Sequence, residues 1–405
     1  MRLLNLKKSK KYLLALSYGS DSLALFYLLL NKGYNFEVAY TNYHLPYTGD
    51  MEEIKIKELC KKYNKKLHLH EVYFKKGNEE AWARIERYNF FIKIIKDDPS
   101  IDACLIAHNK DDLIETYYLQ IQRKGYYSYY GLKNISYKNN VKFIRPLLHV
   151  RKKALKEFNI KHNYEYFQDT TDLEPRFERN KIRLDKVSIM PTFKMNLIKL
   201  KIDYLNFLKK KEYKKYSKYI KDNLIYLDEI KSLNLNEFIT LFYVYLSKFE
   251  FIKKISRNEI IDLFNKIKLN KNIKIDLKNN YFIFIEYGYL KIDKIYFNEY
   301  NYILDESGNK YFKFNKDSKL FNEIFNSNSK IIIHPLSRND KYLYNNELKS
   351  VSKIFIDMKL PQSYRNIYPG IYSLDNKLLY IPRFKKDFKK GTSSFLIFDI
   401  EEIKK

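Results

Sequence analysis

Only two cysteines occur in the 405 residues, Cys60 and Cys104. They make no CxxC pair, no zinc-ligand spacing and no disulfide framework, which points to a reducing, cytosolic setting. Glycine (10) and proline (9) are scarce, so collagen-like and Pro/Gly low-complexity classes are excluded. No run of 18 apolar residues exists, and no membrane-spanning helix is expected. The opening MRLLNLKKSKKYLLALS has the basic start and apolar stretch of a secretory leader. Its apolar run breaks at once in Ser17-Tyr18-Gly19-Ser20-Asp21-Ser22, however, and no small-residue cleavage site follows. Acidic side chains are also short: 48 Asp and Glu face 76 Lys and Arg, a formal charge of +28. Such a surplus favours a polyanionic partner, because each phosphate neutralised releases counterions. The alternative reading is a bias in base composition, since Lys, Asn, Ile and Tyr are all over-used.

Hydrophobic residues make up 45% of the chain, enough for large cores and too many for wholesale disorder. The length suggests two to four domains. Only 13 of the 76 basic residues are Arg, and eight of these lie between Arg84 and Arg183. Where so lysine-rich a chain keeps Arg, a rigid bidentate fork is wanted rather than charge alone. That stretch is where an anion is expected to be held.

Residues 11–17 read as a buried strand and 22–31 as a helix. They are followed by strand 36–42, helix 51–64, strand 66–74, helix 80–96, strand 101–107 and helix 111–122. Strands alternating with helices of this length make a parallel sheet covered on both faces. Ligands of such sheets sit beyond the carboxyl ends of the strands. Two polar clusters, Ser17–Ser22 and His108–Glu115, each follow a strand directly and therefore converge on one crevice. From about 190 to 270 the pattern is helical and very Lys-rich. Residues 272–295 read as hairpin strands turning at Asn279-Asn280, and a separate unit follows with strands at 330–334 and 378–382. The expected domains are 1–188, 189–298 and 299–405.

The Ser17, Tyr18, Gly19, Ser20, Asp21, Ser22 turn between strand and helix is suited to an anion, through backbone N–H groups and the helix N-terminus. Asp21 offers a carboxylate for Mg²⁺. It is not a Walker A loop, and Asp21 or Ser20 serves equally as an ordinary helix cap. Asp112 and Glu115 stand three apart and share a helix face. They suit a metal or an ammonium group, while Asp111 and Asp112 serve equally as first-turn acids complementing the helix dipole. Arg84 and Arg87 lie on neighbouring turns of one helix. Further segments are Arg145-Pro146-Leu147-Leu148, Gln168-Asp169-Thr170-Thr171-Asp172 and Phe177-Glu178-Arg179-Asn180-Lys181-Ile182-Arg183.

The order of these segments resembles the tRNA(Ile)-lysidine synthetases of the PP-loop ATP pyrophosphatase superfamily. Their SGGxDS loop is matched by Ser17–Ser22, and their ARxxRYxxF segment by Ala83-Arg84, Arg87-Tyr88 and Phe91. Their AHHxDDxxET segment is matched by Ala107-His108, Asp111-Asp112 and Glu115-Thr116. RPLL and the F-x-RN-x-IR segment are matched by Arg145–Leu148 and by Phe177 with Arg179–Arg183. A C-terminal motif of longer members is matched across Lys349–Pro369. Three departures stand out. Tyr18 replaces the first loop glycine, where the backbone is expected to need an unusual φ or a close phosphate approach. Asn109 replaces the second histidine, and the HxxHxLR segment is reduced to Tyr40–Pro46.

The resemblance implies a PP-loop (adenine nucleotide α-hydrolase-like) α/β domain, then a mainly helical middle domain and a small α+β C-terminal domain. It implies a cytoplasmic ATP-dependent carbon–nitrogen ligase that joins free lysine to carbon 2 of the wobble cytidine in a CAU-anticodon isoleucine tRNA. An adenylated cytidine would form on the way, with release of pyrophosphate and AMP. Ser17–Ser22 would bind ATP, Asp21 would hold Mg²⁺, and Asp21, Asp112, Arg84 and Arg87 would be catalytic. Asp112 and Glu115 would bind the lysine. His108, Arg123, Arg179, Asn180 and Arg183 would contact nucleotide or tRNA. The two later domains would grip the tRNA body. The oligomeric state stays open, a homodimer included. The alternatives are a non-catalytic tRNA-binding protein with a decayed loop, or another PP-loop tRNA-modifying enzyme such as a thiolase.

Overall fold

The strands of the amino-terminal half alternate with helices because their residues do: KYLLA, NFEVAYTN and IDACL are short, apolar and rich in residues that fit a pleated, buried surface. The computed structural model describes residues 1–44, 49–74, 79–167, 178–249, 255–269, 272–277, 280–344, 346–384 and 396–398. The chain divides into two compact units, residues 1–211 and 212–405.

In the first unit, β1 (Lys11–Ala15), α1 (Ser20–Asn31), β2 (Asn35–Asn42), α2 (Gly49–Lys62) and β3 (Leu67–Glu71) form one half of a wound sheet. α3 (Glu79–Asp97), β4 (Ile101–Leu105), α4 (Lys110–Gln122), the hairpin β5 (Ile135–Lys138) and β6 (Val141–Ile144), and α5 (Lys152–Lys161) complete it. The strand order is β3-β2-β1-β4-β6-β5, parallel except for β5 at the edge. Side chains alternate across β1. Tyr12 and Leu14 pack with Leu23 and Phe26 of α1, Ile56 of α2 and Leu155 of α5 on one face. Leu13 packs with Tyr88, Phe91 and Ile92 of α3 on the other. Each such side chain, fully buried, contributes roughly 1.5–3 kcal/mol.

The chain runs β1 to β3 outward on one side and then crosses to β4 on the other. The reversal lies between β1 and β4, where the turns after the two strands flank a crevice. α6 (Glu178–Ile182), a π-helical turn over Arg183–Val187 and α7 (Thr192–Ser217) follow.

The Lys-rich stretch after α7 is not one continuous helical run. At Asp222-Asn223 both residues take positive φ, 48° and 59°, and the chain forms a tight hairpin of β7 (Ile220–Lys221) and β8 (Leu224–Tyr226). The one-turn α8 (Leu227–Ile230), α9 (Leu235–Leu246) and α10 (Arg257–Lys268) follow. β9 (Ile273–Asp276), β10 (Tyr281–Glu286) and β11 (Tyr289–Lys294) complete a five-stranded antiparallel sheet in the order β7-β8-β11-β10-β9. The middle region therefore carries a sheet beside its helices. Asn280 turns at φ 63° as expected of a hairpin, while Asn279 lies outside the described residues.

Strands Tyr302–Leu304, Ile331–Pro335, Pro369–Tyr372 and Leu378–Tyr380 build a second antiparallel sheet. The helix Val351–Asp357 buries Val351, Ile354 and Phe355 in the same core. Much of the Lys349–Pro369 motif serves this architecture. Arg365 donates to the Leu360 carbonyl at 3.1 Å and to the Tyr287 hydroxyl at 2.8 Å. Glu286 accepts from the Gln362 N–H.

One hydroxyl joins three elements of the second unit. Tyr245 on α9 donates to the Asn223 carbonyl at 2.5 Å and accepts from the Ile292 N–H of β11 at 2.9 Å. Tyr245→Phe strands both backbone groups and is expected to cost about 1–3 kcal/mol. Urea unfolding followed by near-ultraviolet circular dichroism measures it, and an unchanged midpoint would contradict the role assigned to the hydroxyl.

Candidate functional site

The turn after β1 is held from within by its serines. The Ser22 hydroxyl donates to the Ser17 carbonyl and lies 3.2 Å from that of Gly19. Ser17 N–H donates to Ser22 Oγ at 3.3 Å, and the two hydroxyl oxygens are 3.1 Å apart. Gly19 is the N-cap of α1, without a side-chain hydrogen bond to the first turn. Neither Asp21 nor Ser20 caps the helix. Gly19 has φ −78°, and Tyr18 is not among the residues with positive φ. The unusual backbone expected at Tyr18 is therefore absent. Its ring turns into the core against Phe167, 5.2 Å between centroids, and its carbonyl accepts from the Phe167 N–H at 2.9 Å.

The turn after β4 is tied to this loop by Asn109, 1% exposed. Its side-chain oxygen accepts from the Asp112 N–H at 3.1 Å, and the Asp112 carboxylate accepts from the Asn109 N–H at 2.9 Å. That reciprocal pair is a capping box on α4. Its amide nitrogen donates to Asp21 at 3.0 Å. One residue thus links the carboxylate of the first turn to that of the second. Asp111 points elsewhere, accepting from the Lys152 N–H at 2.9 Å and from Arg151.

Asp112 and Glu115 do share a face of α4, and two guanidiniums lie against them. Arg179 Nη2 donates to Asp112 at 2.8 Å and its Nε to Glu115 at 3.0 Å. Arg183 donates to both Glu115 oxygens, at 2.7 and 3.1 Å. Arg179 and Arg183 stand one helical turn apart, and Asn180 lies between them. Glu115 is 1% exposed, so its charge depends on these partners. Burial opposes the charge on Arg179, but Asp112 and Glu115 outweigh it and raise its pKa.

His108 is held well below the ordinary histidine range, first by burial and then by the fields of Arg145, Arg179, Arg84 and Arg87. Arg84 and Arg87 are exposed on α3. Arg84 lies over the Tyr88 ring at 5.0 Å, and neither it nor Arg87 pairs with a carboxylate among the described residues. Arg123 does not join this group. It is the C-cap of α4, paired with Glu178 at 3.2 Å, roughly 16 Å along the helix from Asp112. Residues 168–177, including Gln168–Asp172 and Phe177, lie outside the described residues.

Asn109 and Arg145 were missed as site residues by sequence reasoning. An Asn three residues before an Asp at a helix start is a legible cap signal, and Arg145 was singled out only as part of the Arg145–Leu148 segment, with no hint of its partner. No group of three or more metal-ligating side chains occurs among the described residues. Asp21, a hard carboxylate with serine hydroxyls nearby, still fits Mg²⁺, which is commonly held by one or two carboxylates with phosphate and water. Both cysteines are buried, and burial pushes the Cys60 thiol up to about 12, which does not suit sulfur transfer. No helix among the described residues is long and apolar enough to cross a membrane.

Residues 1–191 match a PP-loop domain model. A tRNA(Ile)-lysidine synthase of Mycoplasma mycoides subsp. mycoides is 29% identical over 419 residues, covering 96% of this chain and 100% of the relative. That of Mesoplasma florum is 32% identical, covering 69% and 70%. That of Malacoplasma penetrans is also 32% identical, covering 68% and 96%.

Because the Tyr18 ring is core, restoring glycine there is expected to destabilise the first unit by roughly 3 kcal/mol or more. ATP binding should not tighten. Thermal unfolding with and without ATP checks this, and a Tyr18→Gly variant of parental stability would contradict the packing role.

Proposed function

The chain belongs to the tRNA(Ile)-lysidine synthase family, and from that premise we infer that it joins free lysine to the wobble cytidine of a CAU-anticodon isoleucine tRNA. ATP supplies the driving force in two steps. The oxygen on carbon 2 of the cytosine attacks the α-phosphorus of ATP, and pyrophosphate leaves. The lysine amine then attacks carbon 2, the bond from that carbon to the adenylate oxygen breaks, and AMP leaves carrying the oxygen. The observation that carries this reading is the chain of hydrogen bonds from Asp21 through Asn109 to Asp112. It ties the Ser17–Ser22 turn, which this reading takes as the phosphate cradle, to the turn bearing Asp112 and Glu115 at the switch point of the sheet.

In this reading the leading N–H groups of α1, within Ser17–Ser22, receive the phosphates. Asp21 holds Mg²⁺, which when bound supplies charge neutralisation on the leaving pyrophosphate. Arg84 and Arg87, without a carboxylate partner among the described residues, meet the nucleotide's negative charge, and their field reaches His108. A flipped base is cheap to present from an anticodon loop, which is already single-stranded. Residues 189–298 and 299–405 grip the tRNA body through phosphates, and Arg123, on the outer end of α4, suits the same task.

Asp112 and Glu115 receive the lysine ammonium in competition with Arg179 and Arg183. Lysine binding is therefore favoured when a phosphate or adenylate draws a guanidinium away. Arg183 and Asn180 share the nucleotide-facing segment with Arg179.

Incubation of the purified chain with ATP, lysine and this tRNA is expected to add the mass of lysine to the wobble nucleoside, with AMP and pyrophosphate released in equal amounts. Asp112→Asn should lower the rate about 10²-fold, the scale of losing one preorganised electrostatic group. An unmodified nucleoside would overturn the reading. The competition for carboxylates predicts that calorimetric affinity for lysine is at least tenfold higher with a non-hydrolysable ATP analogue and tRNA present. Equal affinity in their absence would remove the exchange of partners.

A further inference from the structure

We propose that Arg145 is a positioning residue that fixes His108 as a neutral imidazole with its one proton on Nε2, making it a donor to an anionic oxygen in the crevice. This rests on the lysidine-forming reading only for the identity of that oxygen, a phosphate or adenylate oxygen of the nucleotide.

The geometry leaves no choice of tautomer. Arg145 Nε lies 3.1 Å from His108 Nδ1. A guanidinium nitrogen can only donate, so Nδ1 must present its lone pair. The single proton of the neutral ring is then on Nε2. Protonating Nδ1 as well would set an N–H against the N–H of Arg145.

Arg145 is itself immobilised. It is 6% exposed, and its Nη1 donates to the Lys133 carbonyl and to Ser136 Oγ, both at 2.9 Å. Its backbone N–H donates to the Asn134 carbonyl at 2.8 Å. The fork therefore cannot follow the imidazole if the ring rotates. It dictates where the ring sits.

The charged groups around His108 act in the same direction. Arg84 and Arg87 approach from α3, Arg179 from α6 and Arg145 from the end of β6, all opposing an imidazolium. The acids on the following helix, Asp112 and Glu115, are engaged by Arg179 and Arg183. Among the described residues no side chain takes the Nε2 proton. His108 is thus a permanent donor and cannot serve as the base that takes a proton from the lysine amine, the role a histidine in such a crevice would first suggest.

The test reads the ring directly in the full chain. With ¹⁵N-labelled histidine, His108 is assigned by its loss in His108→Gln, and two-bond proton–nitrogen correlations report the state of each ring nitrogen. The expected result is one tautomer, protonated on Nε2, with no titration between pH 5.5 and 8.5. An imidazolium at pH 6, or a proton on Nδ1, overturns the proposal. Arg145→Lys keeps the charge but loses the fork, and should give mixed tautomers. An unchanged spectrum in that variant removes Arg145 from the account, and the parent spectrum decides the tautomer even if the variant fails to fold. In the modification assay, His108→Gln keeps a donor at the ε position and should retain activity within about tenfold, while His108→Asn should lose about 10²-fold. Equal losses overturn the donor role. Absence of lysidine in the parent would instead strike the functional reading and leave the spectrum standing.

Discussion

The side-chain amide of Asn109 is the contact on which the crevice depends. Two loops separated by nearly ninety residues must meet, and each presents a carboxylate that the other would repel. An amide resolves this because it has one donor end and one acceptor end. Its nitrogen donates to Asp21, and its oxygen takes the first-turn N–H of Asp112. An aspartate here would cap α4 equally well but would set a second carboxylate about 3 Å from Asp21. The residue is fully buried, so neither half of the bond is replaced by water at no cost. The neutral polar residue that stands in place of the motif's second histidine therefore bridges the two turns by itself.

Arginine carries the remaining architecture of the site because each position needs more than one hydrogen bond from one charge. Arg179 spans Asp112 and Glu115, Arg183 reaches both oxygens of Glu115, and Arg151 joins Asp111 to the Met190 carbonyl and Thr192. A lysine would offer a single point of charge at each. This accounts for Arg145, Arg151, Arg179 and Arg183 among the eight arginines that this lysine-rich chain keeps between Arg84 and Arg183. The stretch was expected to hold an anion, and its arginines divide among several tasks. Arg145 and Arg151 fasten segments to one another, Arg123 sits at the far end of α4, and among the described residues Arg84 and Arg87 are exposed without a carboxylate partner.

How much was legible follows the range of the interactions. The alternation of apolar strands and helices through residue 122 was readable to within a few residues, because each period is a local property of consecutive side chains. The helix face shared by Asp112 and Glu115 was legible for the same reason. The β5–β6 hairpin and α5 carry weaker periodicity and were not anticipated. The β7–β8 hairpin was hidden because Asp222-Asn223 sits inside a run whose Leu, Ile and Tyr spacing also suits a helix. Tyr18 could be judged only in three dimensions. Its replacement of glycine looked like a threat to the loop, but the ring leaves the crevice altogether and finds Phe167. The Arg145–His108 bond joins two motifs whose separation in sequence gives no hint of contact.

The arginines of the crevice fall into two electrostatic classes, and the division constrains how any ligand enters. Arg179 and Arg183 are balanced by two carboxylates, so together they present little net field. Arg84 and Arg87 have no such balance among the described residues and set the potential that a distant anion feels. A polyanion is therefore drawn first to α3, where no ion pair has to be broken. Only when its phosphates come near α6 does a guanidinium gain by leaving its carboxylate, and the negative charge so exposed is then available to a cation. An ammonium arriving alone meets carboxylates already satisfied and a surrounding positive field. The ordering of anion before cation thus follows from which charges are paired in the unliganded site, without any need for a moving lid.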